Sequence, residues 1–326
     1  MRILSGIRTS LGELHIGNYS GALAPYLELQ KKHECFFFLA DWHAITTPYE
    51  PETFQKDILE TAATYLALGI NPKKAVLFVQ SHVPQHLELA WLLGTLTPMG
   101  ELERMTQYKE KIQEGITANF GLFAYPILMA ADILIYKPQG VPVGEDQKQH
   151  VELARTLARK FNSRFGKTFF EPKALVPTGG EARILSLSDP HKKMSKSGSQ
   201  DSYISLYDNA TAIRQKIKRA VTDSGKEIIF NPEEKPAISN LITIYKLFSS
   251  LSMANIEKRF SSKGYKEFKN DLAEILISKL QPFQKKLDEL KKNPKLIKKI
   301  LADGDKKAER AAEATMKEVR SKTGLS

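Results

Sequence analysis

Apolar residues fall along this chain in two rhythms. Ile3–Ser5, Cys35–Ala40 and Ala75–Gln80 are short runs, apolar or aromatic almost throughout, and predict strands buried on both faces. Between them, Tyr19–Lys32, Pro51–Leu68 and Leu87–Leu96 repeat apolar residues at helical spacing. Pro51 suits a helix start and Gly69 the position just past its end. This βαβαβ order implies an α/β fold, a parallel sheet covered by helices, with ligands bound where strands end and helices begin. From Gly100 to Asn162 the pattern is mostly helical with a break around Pro138–Pro142, and a Pro- and Gly-rich stretch follows over Pro172–Gly180. Beyond about residue 205 the strand signals fade. Asp208–Asp223, Ser239–Ser250, Tyr265–Lys291 and Asp305–Lys322 predict amphipathic helices. The expected division is an α/β domain over 1–205 and a helical domain over 206–326, with no internal repeat.

Composition narrows the class. Of 326 residues, 42% are hydrophobic and 26% charged, enough to bury a globular core. No run of 18 apolar residues is present, so no membrane span is expected. The first residues read directly as a strand, which argues against a secretory leader and for a cytoplasmic protein. Cys35 stands alone. It permits no internal disulfide and no multi-cysteine metal site, and it suits a small core position. The net charge is +11, and residues 201–326 hold 26 of the 48 Lys+Arg against 17 of the 37 Asp+Glu. A basic carboxy-terminal third fits a polyanionic partner or, equally, a solvated helical face.

Two segments carry phosphate chemistry. His15-Ile16-Gly17-Asn18 stands just before the helix predicted from Tyr19, where free backbone N–H groups and the helix dipole favour anions. Gly17 there leaves room for a flat ring against the backbone. Lys193-Met194-Ser195-Lys196-Ser197 sets two lysines around a short polar loop, suited to the charge that builds on a departing pyrophosphate. Either segment alone could be an ordinary surface loop. Together, about 180 residues apart, they are rarely accidental.

The pair matches the signatures of class I aminoacyl-tRNA synthetases. Further segments resemble the tryptophanyl-tRNA synthetases: Gly100–Gln107, Met129–Leu134, Val141–His150 and Ala40–Ala44. The likeness runs from about residue 1 to 320. It implies a Rossmann-like doubly wound parallel sheet with a C-terminal α-helical anticodon-binding domain. It also implies ATP-dependent activation of L-tryptophan and transfer to tRNA(Trp), beginning on a 2′-hydroxyl, by a homodimer whose interface lies among the apolar helices around 88–135.

On this likeness, Asp132 reads the indole N–H, Leu4, Met129, Val141 and Val143 form apolar walls, and His43, Tyr125 and Gln147 meet the substrate's amine and carboxylate. ATP falls to Arg8, Thr9, Ser10, Gly17, Asn18, Lys111, Gly144, Glu145, Asp146, Ile184, Lys193, Met194, Ser195, Lys196 and Ser197. His15, Asn18, Lys193 and Lys196 carry the catalytic role. No protein metal site is expected, because Mg²⁺ rides mainly on phosphates. One departure stands out: Gly6–Gly12 lacks the family's usual proline turn and is one residue longer, which bears on the contacts of Arg8, Thr9 and Ser10.

For the tRNA, the charge reading nominates the Lys and Arg residues at 214, 216, 218 and 219, with Lys291, Lys292, Lys295, Lys298 and Lys299. Three other readings remain open. A tyrosyl-tRNA synthetase shares the architecture but lacks this combination of segments. A small-molecule nucleotidyltransferase would not need the indole pocket. A non-catalytic paralogue would not need His15, Asp146, Lys193 and Lys196 together.

Overall fold

The computed structural model describes residues 1–9, 14–19, 24–113, 115, 117–176, 184–196 and 198–325. In chain order the first elements are β1 (Arg2–Ile7), α1 (Ile16–Asn18), α2 (Ala24–Lys32), β2 (Glu34–Leu39), α3 (Asp41–Ala44), α4 (Pro51–Leu68) and β3 (Ala75–Val79). There follow α5 (Gln85–Gly94), α6 (Met99–Glu103), α7 (Thr106–Gln113), α8 (Phe120–Ile135), β4 (Gly140–Pro142), α9 (Lys148–Phe165) and β5 (Lys173–Leu175). The last are α10 (Ala210–Arg219), α11 (Pro236–Phe248), α12 (Met253–Phe260), α13 (Tyr265–Lys291) and α14 (Pro294–Thr323).

The chain forms two compact units, and packing does not follow the linear split expected at 205. One unit gathers Met1–Ser10, Tyr26–Pro177 and Leu290–Ser326; the other gathers Leu11–Pro25 and Thr178–Glu289. The last helix therefore belongs with the sheet. An amphipathic pattern reveals which face a helix buries but not what it is buried against.

In the first unit five parallel strands lie in the order β3-β2-β1-β4-β5. Chain order reverses between β1 and β4, and such a switch point opens a crevice at the carboxyl ends of its strands. The aromatic run Phe36-Phe37-Phe38 in β2 is buried on both faces, as its lack of alternation predicts. α4 spans the expected Pro51–Leu68, with Pro51 in the first turn and Gly69 left-handed at φ 116° as its cap. β4 and β5 are only three residues long and arise where the sequence suggested a break and a Pro/Gly-rich connection.

α14 closes the margin of β3. Its Asp305 carboxylate accepts from the Val79 amide (2.9 Å) and from His82 Nδ1 (2.7 Å). Gly304 faces the β3 backbone so closely that a Cβ there would stand 1.8 Å from the Leu77 carbonyl oxygen. Ala308, Ala312, Met316 and Val319 continue this buried stripe into the main core. Arg320 forks onto Glu88 of α5 (2.6 and 2.7 Å).

The second unit is helical. Tyr245, Phe260 and Phe268 pack ring against ring at its centre, with Tyr245 and Phe268 stacked at 5.6 Å. Among the described residues no helix is long and apolar enough to cross a membrane.

Candidate active site

At the switch point of the first unit lies a cavity of about 500 Å³. β1 contributes Leu4, Ser5 and Gly6, β4 contributes Val141 and Pro142, and α8 contributes Tyr125, Met129 and Asp132. All eight residues expected around an amino acid line it: Leu4, His43, Tyr125, Met129, Asp132, Val141, Val143 and Gln147. Arg8, Lys111, Gly144 and Asp146 of the expected ATP set line the same cavity. Glu145 is not part of that lining; its carboxylate pairs with Lys148 at 2.7 Å and is largely exposed. Thr9 is buried, and its carbonyl accepts from Thr61 Oγ1 (2.9 Å). Ser10 lies outside the described residues.

Asp132 is wholly buried, yet its carboxylate is well supplied with donors. His43 Nε2 meets Oδ2 at 2.7 Å, His86 Nδ1 meets Oδ1 at 2.6 Å, and Gln80 Nε2 reaches both oxygens at 2.8 and 2.9 Å. Burial alone would raise the carboxyl, but the two imidazoles outweigh it and bring it down to about 2. An ionised acceptor therefore sits beside apolar walls. Among the described residues, His43 is the one of these three donors that lines the cavity. Gln80 and His86 were not singled out from the sequence. Gln80 ends an apolar strand run, and His86 shares the buried face of α5 with Leu89 and Leu93; both patterns read as core.

A second chain of hydrogen bonds runs along the cavity wall. Tyr125 OH meets His150 Nε2 at 2.9 Å and donates to Gln107 Oε1 at 3.3 Å. Gln107 and Gln147 each donate to Asp146 Oδ2 at 3.0 Å. Lys111 Nζ stands 5.1 Å over the Tyr125 ring.

The phosphate motifs come together in the second unit. His15 caps the single turn α1: its Nδ1 accepts from the Gly17 amide (3.2 Å), and its own amide donates to Asn18 Oδ1 (3.0 Å). With Nδ1 accepting, the ring proton is on Nε2. Burial first, then the charges of Lys193 and Lys196, lower His15 to about 4, so the ring is neutral at pH 7. The backbone amides expected to be free at this turn have partners within the protein. The Ile16 amide donates to Ile204 O, the Gly17 amide to His15, and the Asn18 amide to His15 O.

The lysine loop is anchored around Met194, which is buried between two exposed lysines. Leu185 and Lys193 form an antiparallel bridge, and Met194 N donates to Ile184 O (3.0 Å). The Ile184 carbonyl is thus engaged. Asn240 of α11 clamps this hairpin through both the N–H and C=O of Leu185 (2.9 and 3.0 Å). Ser195 and Lys196 are exposed; Ser197 lies outside the described residues.

The basic residues divide. Arg214, Lys216 and Arg219 are paired with Glu274, Asp208 and Asp201 at 2.7, 2.7 and 3.0 Å. Charge sequence alone could not show those partners. Lys291, Lys292, Lys295, Lys298 and Lys299 are all exposed, around the start of α14 in the sheet-bearing unit. Cys35 is buried, and burial followed by Glu34 pushes its thiol up to about 11, so it is inert.

His15 and His150 give a pH prediction. Burial first, and nearby cations second, lower each to about 4. Unfolded histidine titrates near 6.5, so between those values the unfolded chain binds more protons than the folded one. Stability is therefore fully present above pH 6.5 and is lost as pH falls toward 4, by on the order of a few kcal/mol. Urea midpoints at pH 7 and pH 4.5 check this, and equal midpoints would contradict it.

The family described as tRNA synthetases class I (W and Y) matches residues 1–281. A tryptophan–tRNA ligase of Caldanaerobacter subterraneus is 48% identical over 325 residues, covering 99% of this chain and 98% of that protein. That of Rickettsia prowazekii is 48% identical over 326 residues, with 99% and 98% covered. The crystal structure of tryptophanyl-tRNA synthetase from Campylobacter jejuni complexed with ADP and tryptophan superposes with a TM-score of 0.86 at 38% identity, each chain covered completely. With a parallel sheet, a switch-point cavity and both phosphate motifs in place, the chain belongs to the class I tRNA synthetases, in the tryptophan–tRNA ligase family.

Proposed function

We propose that the chain activates L-tryptophan with ATP in the cavity described and transfers it to tRNA(Trp). The observation that carries this reading is Asp132, an ionised carboxylate beside the apolar walls formed by Leu4, Met129, Val141 and Val143. An indole offers one polar handle, its N–H, on an otherwise apolar surface. As His43 donates to Asp132 Oδ2 and also lines the cavity, an incoming indole N–H competes with it for Oδ2. Phenylalanine displaces the histidine and returns no donor, which is how a hydrogen-bonding site rejects an analogue more strongly than shape can.

The tryptophan carboxylate attacks the α-phosphorus in line and pyrophosphate leaves. No side chain acts as a covalent nucleophile, so positioning and charge stabilisation supply the rate. His15 Nε2–H and Asn18 donate to phosphate oxygens, and Lys193 and Lys196 take up the charge growing on pyrophosphate. Mg²⁺, when bound, would supply further neutralisation of the phosphate charge. Gly144 and Asp146 serve the nucleoside side of ATP, and Tyr125 and Gln147 the amino-acid head. Exposed Lys291, Lys292, Lys295, Lys298 and Lys299 meet tRNA phosphates, and the helices of the second unit read the anticodon.

Tryptophan-dependent exchange between labelled pyrophosphate and ATP, run across all twenty amino acids, tests the reading. Tryptophan alone is expected to support exchange, and Asp132→Asn is expected to weaken discrimination against phenylalanine. Exchange supported by tyrosine instead, or by no amino acid, would defeat it.

The working form is a homodimer. Trp91 is 75% exposed and Phe120 78%, beside Leu87, Met99 and Trp42 around an apolar groove on α5 and α8. A contiguous apolar face of this kind is costly on a monomer. Light scattering is expected to give twice the chain mass for the parent and the chain mass for Trp91→Glu/Phe120→Glu. A monomeric parent would rule the dimer out.

A further inference from the structure

Behind the cavity, out of reach of any ligand, a buried histidine joins Asp132 to a buried tyrosine. His86 Nδ1 lies 2.6 Å from Asp132 Oδ1, and His86 Nε2 lies 2.7 Å from Tyr136 OH. Both His86 and Tyr136 are fully buried. The rings of Phe38, Phe78 and Tyr136 surround the imidazole at 6.0, 6.1 and 5.4 Å between centroids. Neither His86 nor Tyr136 has been given a role in the reaction.

The proton positions follow from what each partner can do. An ionised carboxylate only accepts, so Nδ1 carries a hydrogen. Nε2, the other ring nitrogen, is held by the Tyr136 hydroxyl at 2.7 Å. The tyrosine thus fixes the orientation of the ring, and the ring keeps a donor on Oδ1. Gln80 reinforces the same carboxylate. Oδ2 then faces His43, the donor that lines the cavity.

We infer that His86, held by Tyr136, is a positioning residue for amino-acid selection: it keeps the Asp132 carboxylate charged and aimed so that Oδ2 presents to an indole N–H. This rests on the ligase reading and deepens it. Without the His86 donor, a fully buried carboxyl retains Gln80 and His43 but loses its closest contact. Burial then favours the protonated form. A carboxylic acid can direct its own O–H at the indole, where a second donor has no acceptor, and selectivity falls. The titratable groups that face Asp132 are His43 from α3, His86 from α5 and, through His86, Tyr136 after α8.

Three variants of the full chain test this by pyrophosphate exchange with tryptophan and with phenylalanine, from pH 5.5 to 8. His86→Leu removes the donor. It is expected to raise KM for tryptophan about 10-fold or more with a smaller change in kcat, and to lower the tryptophan/phenylalanine ratio by a similar factor. KM for tryptophan should also climb as pH falls, where the parent shows no such climb from Asp132. His86→Asn sets an amide N–H close to where Nδ1 stood and should recover most of the selectivity, a rescue that a purely volumetric role would not give. Tyr136→Phe removes one oxygen and is expected to fall between parent and His86→Leu. If His86→Leu does not fold, Tyr136→Phe decides alone. Parental selectivity and a parental pH profile in the folded variants overturn the inference while leaving the ligase reading intact. A parent chain with no tryptophan-dependent exchange overturns both.

Discussion

Lys196→Ala is expected to slow tryptophan-dependent pyrophosphate exchange by about 10²–10³-fold, the usual loss when one donor to a developing charge is removed. The effect should fall on kcat. Negative charge accumulates on pyrophosphate only as the α–β bridge breaks, so a cation there stabilises the transition state more than the bound substrates. KM for tryptophan should change little, because the amino-acid cavity is built from residues of the other unit. The lysine is exposed, but the loop under it is not loose: Met194 is buried and Asn240 grips Leu185 on both backbone groups. Lys193→Ala should behave similarly and also release His15 from one of the two charges that depress it. A Lys196→Ala enzyme with parental kcat would remove this loop from the chemical step.

Gly304→Ala is expected to destabilise the sheet-bearing unit by about 3 kcal/mol. In an ordinary exposed helix position the same change would stabilise by roughly 1 kcal/mol, since alanine is the better helix former. Here the added methyl would sit 1.8 Å from a carbonyl oxygen and 2.7 Å from its carbon, both in the backbone of β3. Neither can turn away as a side chain could. α14 must lift, and Ala308, Ala312, Met316 and Val319 lift with it. Thermal unfolding should fall by about 6 °C or more. A variant as stable as the parent would mean that α14 does not rest on β3.

Much of the site was legible because reactive side chains announce themselves by type and spacing. His15, Asn18, Lys193 and Lys196 do gather in one unit, and the residues expected around tryptophan do line one cavity. The first three strands were legible because each is an unbroken apolar run. β4 and β5 were not: three residues give no periodicity, and Pro142 is ordinarily a reason to reject a strand. The partners of the Ile16 and Gly17 amides, Ile204 O and His15 Nδ1, were not legible, because one lies far off in sequence and the other depends on a rotamer. The pairing of Arg214, Lys216 and Arg219 was hidden for the same reason as the placement of α14. Both depend on partners distant in sequence, which local pattern does not encode.

The bond from Asp305 to the Val79 amide spans 226 residues, and that span is also an interval of time. A ribosome adding about 5–20 residues each second needs about 10–45 s to make the intervening chain. For that interval, nascent β3 lacks the helix that covers it and offers open amides and carbonyls to any neighbouring strand. Recovery of folded protein at high rates of synthesis should therefore depend on whatever shelters this margin until the last helix leaves the exit tunnel.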